Sequence, residues 1–158
     1  MYGVLSKTGP GSTISPAATA DWQTYKNEKY GFEFKYPTEL KKRDLPSNFI
    51  NYSNHLLSLS PEPVMYEVLG AITAYDINVD LYQASFIDSL SSFEEEINGV
   101  SIVRSDTYPW GQEGYRGQRV ILSQGGRKIV ISYSANSFAF DRYSPIFNTI
   151  LSTFKFTK

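Results

Sequence analysis

From Asp21 onward the apolar residues recur mostly at every second position, the spacing of strands that bury one face and wet the other. YKNEKYGFEFKYP, residues 25–37, is the clearest case: Phe32, Phe34 and Tyr36 alternate with Glu33 and Lys35, and Tyr30 extends the stripe. Pro37 has no amide hydrogen to donate and ends the run. With DWQTYK before it and Asn27-Glu28-Lys29 as the connection, the stretch predicts an opening hairpin whose aromatic stripe is a core face. Residues 38–53, with Lys41-Lys42-Arg43, Pro46, Ser47, Asn48 and Asn51, read as irregular structure with room for one helical turn. HLLSLS, 55–60, is a brief strand stopped by Pro61 and Pro63. AITAYDINVDLY, 71–82, is a longer one, with Thr73, Tyr75, Ile77, Val79 and Leu81 on one side and Ala74, Asp76, Asn78 and Asp80 on the other.

The period then changes. In ASFIDSLSSFEEEIN, Phe86, Leu90, Phe93 and Ile97 fall four, three and four apart, which gathers them on one helical face, and Asn98-Gly99 reads as the helix stop. VSIVRSDTY returns to a strand, YPWGQEGYRG is a loop, and QRVILSQ and RKIVISYSA are two strands joined by Gly125-Gly126, a turn whose primed type needs positive φ. Ser144-Pro145 resembles an N-cap followed by proline at the first helical position, ahead of an apolar face of Tyr143, Phe147, Ile150, Leu151 and Phe154. The sum is an α+β single domain, a mostly antiparallel sheet of about seven strands flanked by two main helices, over residues 21–158. Residues 1–20 are rich in Gly, Ser, Thr, Pro and Ala and read as a flexible leader or tether.

Composition narrows the classes of function. At 158 residues with 41% hydrophobic and 15% aromatic content, the chain has the means to build one core. A formal net charge of -1 lacks the basic excess that phosphate backbones or acidic lipid would select, so no nucleic-acid partner is expected. The absence of cysteine removes disulfides, thiolate metal sites and a cysteine nucleophile. No run of ~18 apolar residues is present, so no direct membrane insertion is expected. The first twenty residues lack the apolar stretch of a signal peptide.

Trp22, Tyr25 and Asn27, then Tyr30-Gly31-Phe32-Glu33-Phe34-Lys35-Tyr36-Pro37, with Ile150-Leu151-Ser152-Thr153-Phe154-Lys155-Phe156 near the end, resemble the PsbP-like domain and its bacterial secreted and lipoprotein relatives. The resemblance covers residues 21–156 in element order, with its motifs at the two ends; Leu40 stands where relatives usually place a tryptophan. It implies an antiparallel sheet flanked by helices, an α/β/α sandwich, and an extracytoplasmic setting. It also implies a non-enzymatic role, since the best-known members are extrinsic subunits of the photosynthetic oxygen-evolving complex.

Candidate chemistry is sparse. His55 is the single histidine; it begins an apolar strand with no nucleophile elbow in the chain, and is read as an ordinary, partly exposed strand residue. Asp76-Ile77-Asn78-Val79-Asp80 matches the first half of a calcium loop, but Leu81 and Ile87 occupy the places of its glycine and bidentate glutamate. In a strand these three polar residues stand about 6.6 Å apart, so a solvated face is the first reading and a weak cation site at Asp76, Asn78 and Asp80 the alternative. Glu94-Glu95-Glu96 reads as the wet side of a helix. Tyr108, Trp110, Tyr115 and Arg116, in a glycine-containing loop, have the composition of protein interfaces and of sugar-stacking sites, and are the binding residues expected here. The reading is a non-catalytic, extracytoplasmic PsbP-like module without a cofactor that binds another protein of the cell envelope. A small-ligand or glycan-binding module using the Trp110 loop is the alternative, and a hydrolase with dispersed acids ranks last.

Overall fold

The structure, a computed structural model, describes residues 19–43, 54–61, 75–82, 92–107 and 115–157. Among the described residues two short strands come first, β1 (Gln23–Asn27) and β2 (Phe32–Tyr36), followed by β3 (Lys41–Lys42), β4 (His55–Ser60) and β5 (Tyr75–Leu81). Then come β6 (Ser92–Ile97), β7 (Val100–Thr107), β8 (Tyr115–Gln124) and β9 (Arg127–Asn136), the helix α1 (Ser137–Thr153), and β10 (Lys155–Phe156). A seven-stranded sheet has the order β3-β4-β5-β9-β8-β7-β6, and a three-stranded sheet the order β1-β2-β10. Every pair is antiparallel.

The opening hairpin forms as its alternation predicts, with Tyr25 opposite Phe34 and Asn27 opposite Phe32. Phe32, Phe34 and Tyr36 are buried, and Phe32 stacks on Phe154 at 5.6 Å between ring centroids. The stripe is a core face. Leu40, the residue that departs from the family pattern, is buried in the same core.

In the large sheet, β5 alternates as expected. Tyr75, Ile77 and Val79 are buried opposite Ala135, Tyr133 and Ile131 of β9, and Val120 and Leu122 of β8 continue that face. The helix covers it: Tyr133 stacks with Phe147 at 5.1 Å, and its hydroxyl donates to the Phe140 carbonyl at 2.7 Å. Burial pushes the phenols of Tyr75 and Tyr133 above their ordinary range, because an ionised ring there would lose its hydration.

Two expectations about helices are corrected. The segment around Phe93 and Ile97 is not helical: β6 pairs with β7 from Ser92 to Ile97, and Phe86 and Leu90 lie outside the described residues. Among the described residues α1 is the single α-helix, so two main helices are not found. Asn98 and Gly99, read as a helix stop, have φ of 55° and 81° and make a two-residue hairpin turn, the primed geometry that matches strand twist. Gly125 and Gly126 do the same between β8 and β9, as predicted. In a strand the glutamate run alternates: Glu94 and Glu96 are exposed while Glu95 reaches Arg104.

The second correction concerns the last helix. It begins at Ser137, directly after β9, so Pro145 lies inside it and Ser144 is not its N-cap. A proline there cannot donate to the carbonyl four residues back, that of Asp141. The Ser144 hydroxyl donates to that carbonyl instead, at 3.3 Å, which is how the helix accommodates the ring. The apolar face expected for the helix, Phe147, Ile150, Leu151 and Phe154, is buried as read. Strand β10, which the sequence pattern does not announce, pairs Phe156 with Phe32 and joins the two ends of the described fold.

Truncating Phe34 to alanine removes a fully packed ring beside Tyr25 and Tyr36. The expected cost is about 3 to 5 kcal/mol of unfolding free energy, measured by urea denaturation. A midpoint equal to that of the parent chain would return the stripe to the list of surfaces.

Candidate functional site

A polar cluster of four side chains, His55, Ser58, Asn78 and Asp80, lies on the face of β4 and β5 opposite the helix. Alternation alone would send His55 and Ser58 to opposite faces, because they are three residues apart. The pairing register slips between them: His55 faces Asp80, Leu57 faces Val79 and Ser58 faces Asn78, leaving Leu56 as the extra residue of a β-bulge. That slip turns His55 onto the face of Ser58 and brings both over the Asp76, Asn78, Asp80 row.

The contacts that result are short. His55 Nδ1 is 2.9 Å from Asp80 Oδ1, and His55 Nε2 is 2.9 Å from Ser58 Oγ. Ser58 Oγ in turn donates to Asn78 Oδ1 at 2.6 Å. The side chains of His55 and Asp80 keep only 13% and 19% of their exposure, so His55 is more enclosed than an ordinary strand-end residue and this end of the row is not the solvated face expected of it. Burial holds the Asp80 carboxyl above its usual value of 3.8, while the His55 hydrogen bond and the charges of His55 and Arg119 pull it down.

Serine, histidine and aspartate thus stand in the order and at the distances of a hydrolytic triad. The direction of the hydrogen bonds differs. A nucleophilic serine must give its hydrogen to the imidazole, whereas Ser58 gives its single hydrogen to Asn78 and so accepts from His55. With the hydroxyl turned to Asn78, the proton on the His55–Ser58 contact has to come from the imidazole; the roles of the two ring nitrogens follow the tautomer.

The residues expected to bind a partner are placed as follows. Tyr108 and Trp110 lie outside the described residues. Tyr115 and Arg116 are not in a loop but open β8, opposite Asn136 and Ala135 of β9. The Arg116 guanidinium lies 4.1 Å from the centre of the Phe140 ring and 3.5 Å from Asp141, so it packs onto the first turns of α1. The sequence reading missed Phe138, in the first turn of that helix, which at 88% exposure is the one large apolar side chain left in solvent among the described residues. A tighter reading of the helix start would have isolated it, since Phe140 and Phe147 face the core and Phe138 does not. For metal binding, no group of three or more His, Cys, Asp or Glu that could hold an ion occurs among the described residues. Asp80 is engaged by His55 and Asn78 by Ser58.

A mixed fold of antiparallel sheets with a helix entering directly from the central strand is the class of protein these observations define. Its architecture is that of a PsbP-like domain. The chain superposes on the solution structure of cyanobacterial PsbP (CyanoP) from Synechocystis sp. PCC 6803 with a TM-score of 0.59 at 11% identity, covering 91% of this chain and 97% of that one. It is also similar to a crystal structure from Bacteroides thetaiotaomicron VPI-5482, with a TM-score of 0.55 and 11% identity, over 86% of this chain and 48% of the other. No family model matches the sequence, and no curated protein does. None of the helices among the described residues is long and apolar enough to cross a membrane.

The raised carboxyl of Asp80 has a consequence for stability. The folded chain holds that proton more tightly than the unfolded chain, so the group's contribution is fully present below about pH 4 and drains away as pH rises through its folded value. Asp80→Asn, which cannot ionise, escapes this loss. In thermal melts from pH 4 upward, the difference in Tm between Asp80→Asn and the parent is expected to move in favour of the variant; a constant difference would mean that Asp80 titrates as a free carboxylate.

Proposed function

We propose that the chain is a non-catalytic, extracytoplasmic module of PsbP-like type that works by binding another protein of the cell envelope. The observation that carries this reading is the likeness to cyanobacterial PsbP across nearly the whole of both chains. The start of α1 has the composition of a contact surface: an exposed aromatic at Phe138, with Asp141, nearby in sequence, paired with Arg116 and Arg142 over the Tyr143 ring. Exposed aromatic and arginine side chains dominate the energetics of protein interfaces. Tyr115 opens β8 next to this surface, and Tyr108 and Trp110 precede it in sequence, so the reading keeps them as partner-binding residues.

Three measurements test the proposal. A photo-crosslinking residue at position 138, in the chain expressed in the envelope of its source cell, is expected to capture one dominant protein. Phe138→Ser is expected to weaken binding of that purified protein about tenfold or more with no change in Tm; equal affinity for Phe138→Ser and Arg116→Ala would remove this surface. A fluorophosphonate probe is expected to leave Ser58 unmodified, and labelling abolished by Ser58→Ala would overturn the non-catalytic reading.

A further inference from the structure

The hydrogens of the β4–β5 cluster can be counted. Each ring nitrogen of His55 faces a side-chain oxygen at 2.9 Å, Nδ1 that of Asp80 (Oδ1) and Nε2 that of Ser58 (Oγ). Asn78 Oδ1 only accepts, so the Ser58 hydrogen lies on the Asn78 side and cannot serve the imidazole. The His55–Asp80 pair must therefore supply a hydrogen to each of its two contacts. A neutral imidazole beside a carboxylate carries one hydrogen, which leaves one contact empty. The network is complete only when the pair holds a second, as imidazolium with carboxylate or as neutral imidazole with carboxylic acid.

We propose that this cluster is a proton-binding switch: the His55–Asp80 pair takes up and releases one proton, and release reverses the Ser58 hydroxyl from Asn78 to His55. When the proton leaves, the remaining ring hydrogen stays at Nδ1 facing the carboxylate, and Nε2 is left with a lone pair 2.9 Å from Ser58 Oγ. The hydroxyl then turns to donate to Nε2, and its bond to Asn78 is lost. That bond links β4 to β5 beside the bulge, where the ladder is already interrupted. Protonation therefore tightens the attachment of β4, and of β3 beyond it, to the rest of the sheet.

The charged surroundings oppose one another. On β5, Asp76 shares the face of Asp80 four residues away, and burial of Asp80 favours the protonated pair. From β8, Arg119, opposite Ser132 of β9, favours release. On β9, Ser132 and Ser134 stand opposite Asn78 and Asp76, and Lys128 is the next cation along that face. Beyond β3, Arg43 donates from Nη1 to Ser60 Oγ at 3.0 Å and from its amide to the Ser58 carbonyl at 2.9 Å, which places a third cation beside β4.

Because His55 is the single histidine, its ring nitrogens give unambiguous signals in ¹⁵N-resolved NMR of the whole chain. Below the midpoint of titration Nε2 is expected to carry hydrogen; above it, the hydrogen is expected on Nδ1 with Nε2 bare. Asn78→Ala removes the bond that release must break, so the midpoint is expected to fall by about half to one pH unit. The same substitution on a Ser58→Ala background is expected to produce no such fall. If Asn78 instead presented its amide nitrogen to Ser58, that bond would be made to the hydroxyl oxygen in both protonation states and Asn78→Ala would leave the midpoint in place. That result, or a neutral ring with its hydrogen on Nε2 above the midpoint, would overturn the proposal; the tautomer reading needs no variant and stands if either substitution impairs folding.

Discussion

A guanidinium in the core holds the helix to the sheet. Arg104 of β7 is only 8% exposed, on the face that otherwise carries Ile102, Val120 and Leu122. Its Nε donates to Glu95 of β6, and its Nη1 donates to Gln118 of β8 and to Asn148 of α1. Asn148 is itself fixed by a bond from its amide nitrogen to the Ser144 carbonyl. A buried charge is tolerated only where its donors are met, so the positions of β6, β8 and the middle of α1 are tied to one side chain. Because α1 also reaches β2, through the Thr153 hydroxyl that accepts from the Lys35 amide, the same anchor sets where the small sheet rests.

Strand β5 serves two different chemistries at once. Its inward residues, Tyr75, Ile77 and Val79, give the core a wall of rings and branched chains. Its outward residues meet His55 and Ser58, whose side chains coincide on one face because of a single extra residue in β4. The heavy atoms have the geometry of a relay for nucleophilic attack, and the same atoms can hold a proton, according to where the hydrogens lie. Distances alone do not separate the two; the hydrogen of the Ser58 hydroxyl, shared between Asn78 and His55, is what distinguishes them.

Much of the frame could be read directly from residue order. The alternation in 32–36 and 75–81, the Gly125-Gly126 turn and the apolar face from Phe147 to Phe154 all appear where the pattern puts them. The failures have physical reasons. The spacing of Phe93 and Ile97 fits a helix, but they are also an even number of residues apart, which fits a strand equally well, and pairing to β7 across a primed turn decided between them. Pro145 looked like a helix start because its lost hydrogen bond is free of cost there, yet a serine hydroxyl compensates for it within the helix. The His55 cluster was hidden by the bulge, since no local pattern signals where a register will slip. The pairing of Glu95 with Arg104 was hidden with the strand that makes it.

The short strand β10 has an effect out of proportion to its two residues. It brings Lys155 and Phe156 onto β2, and Lys35 meets Thr153 across 118 positions of sequence. The hairpins β6–β7 and β8–β9 close over two-residue turns, whereas this junction closes nearly the whole described chain into a ring. Loop-closure entropy makes such a junction the most expensive to form from an open chain. The meander and its helix close their own contacts at lower entropic cost, and the Phe32–Phe154 stack is the clasp that completes the circuit between the first and last described strands.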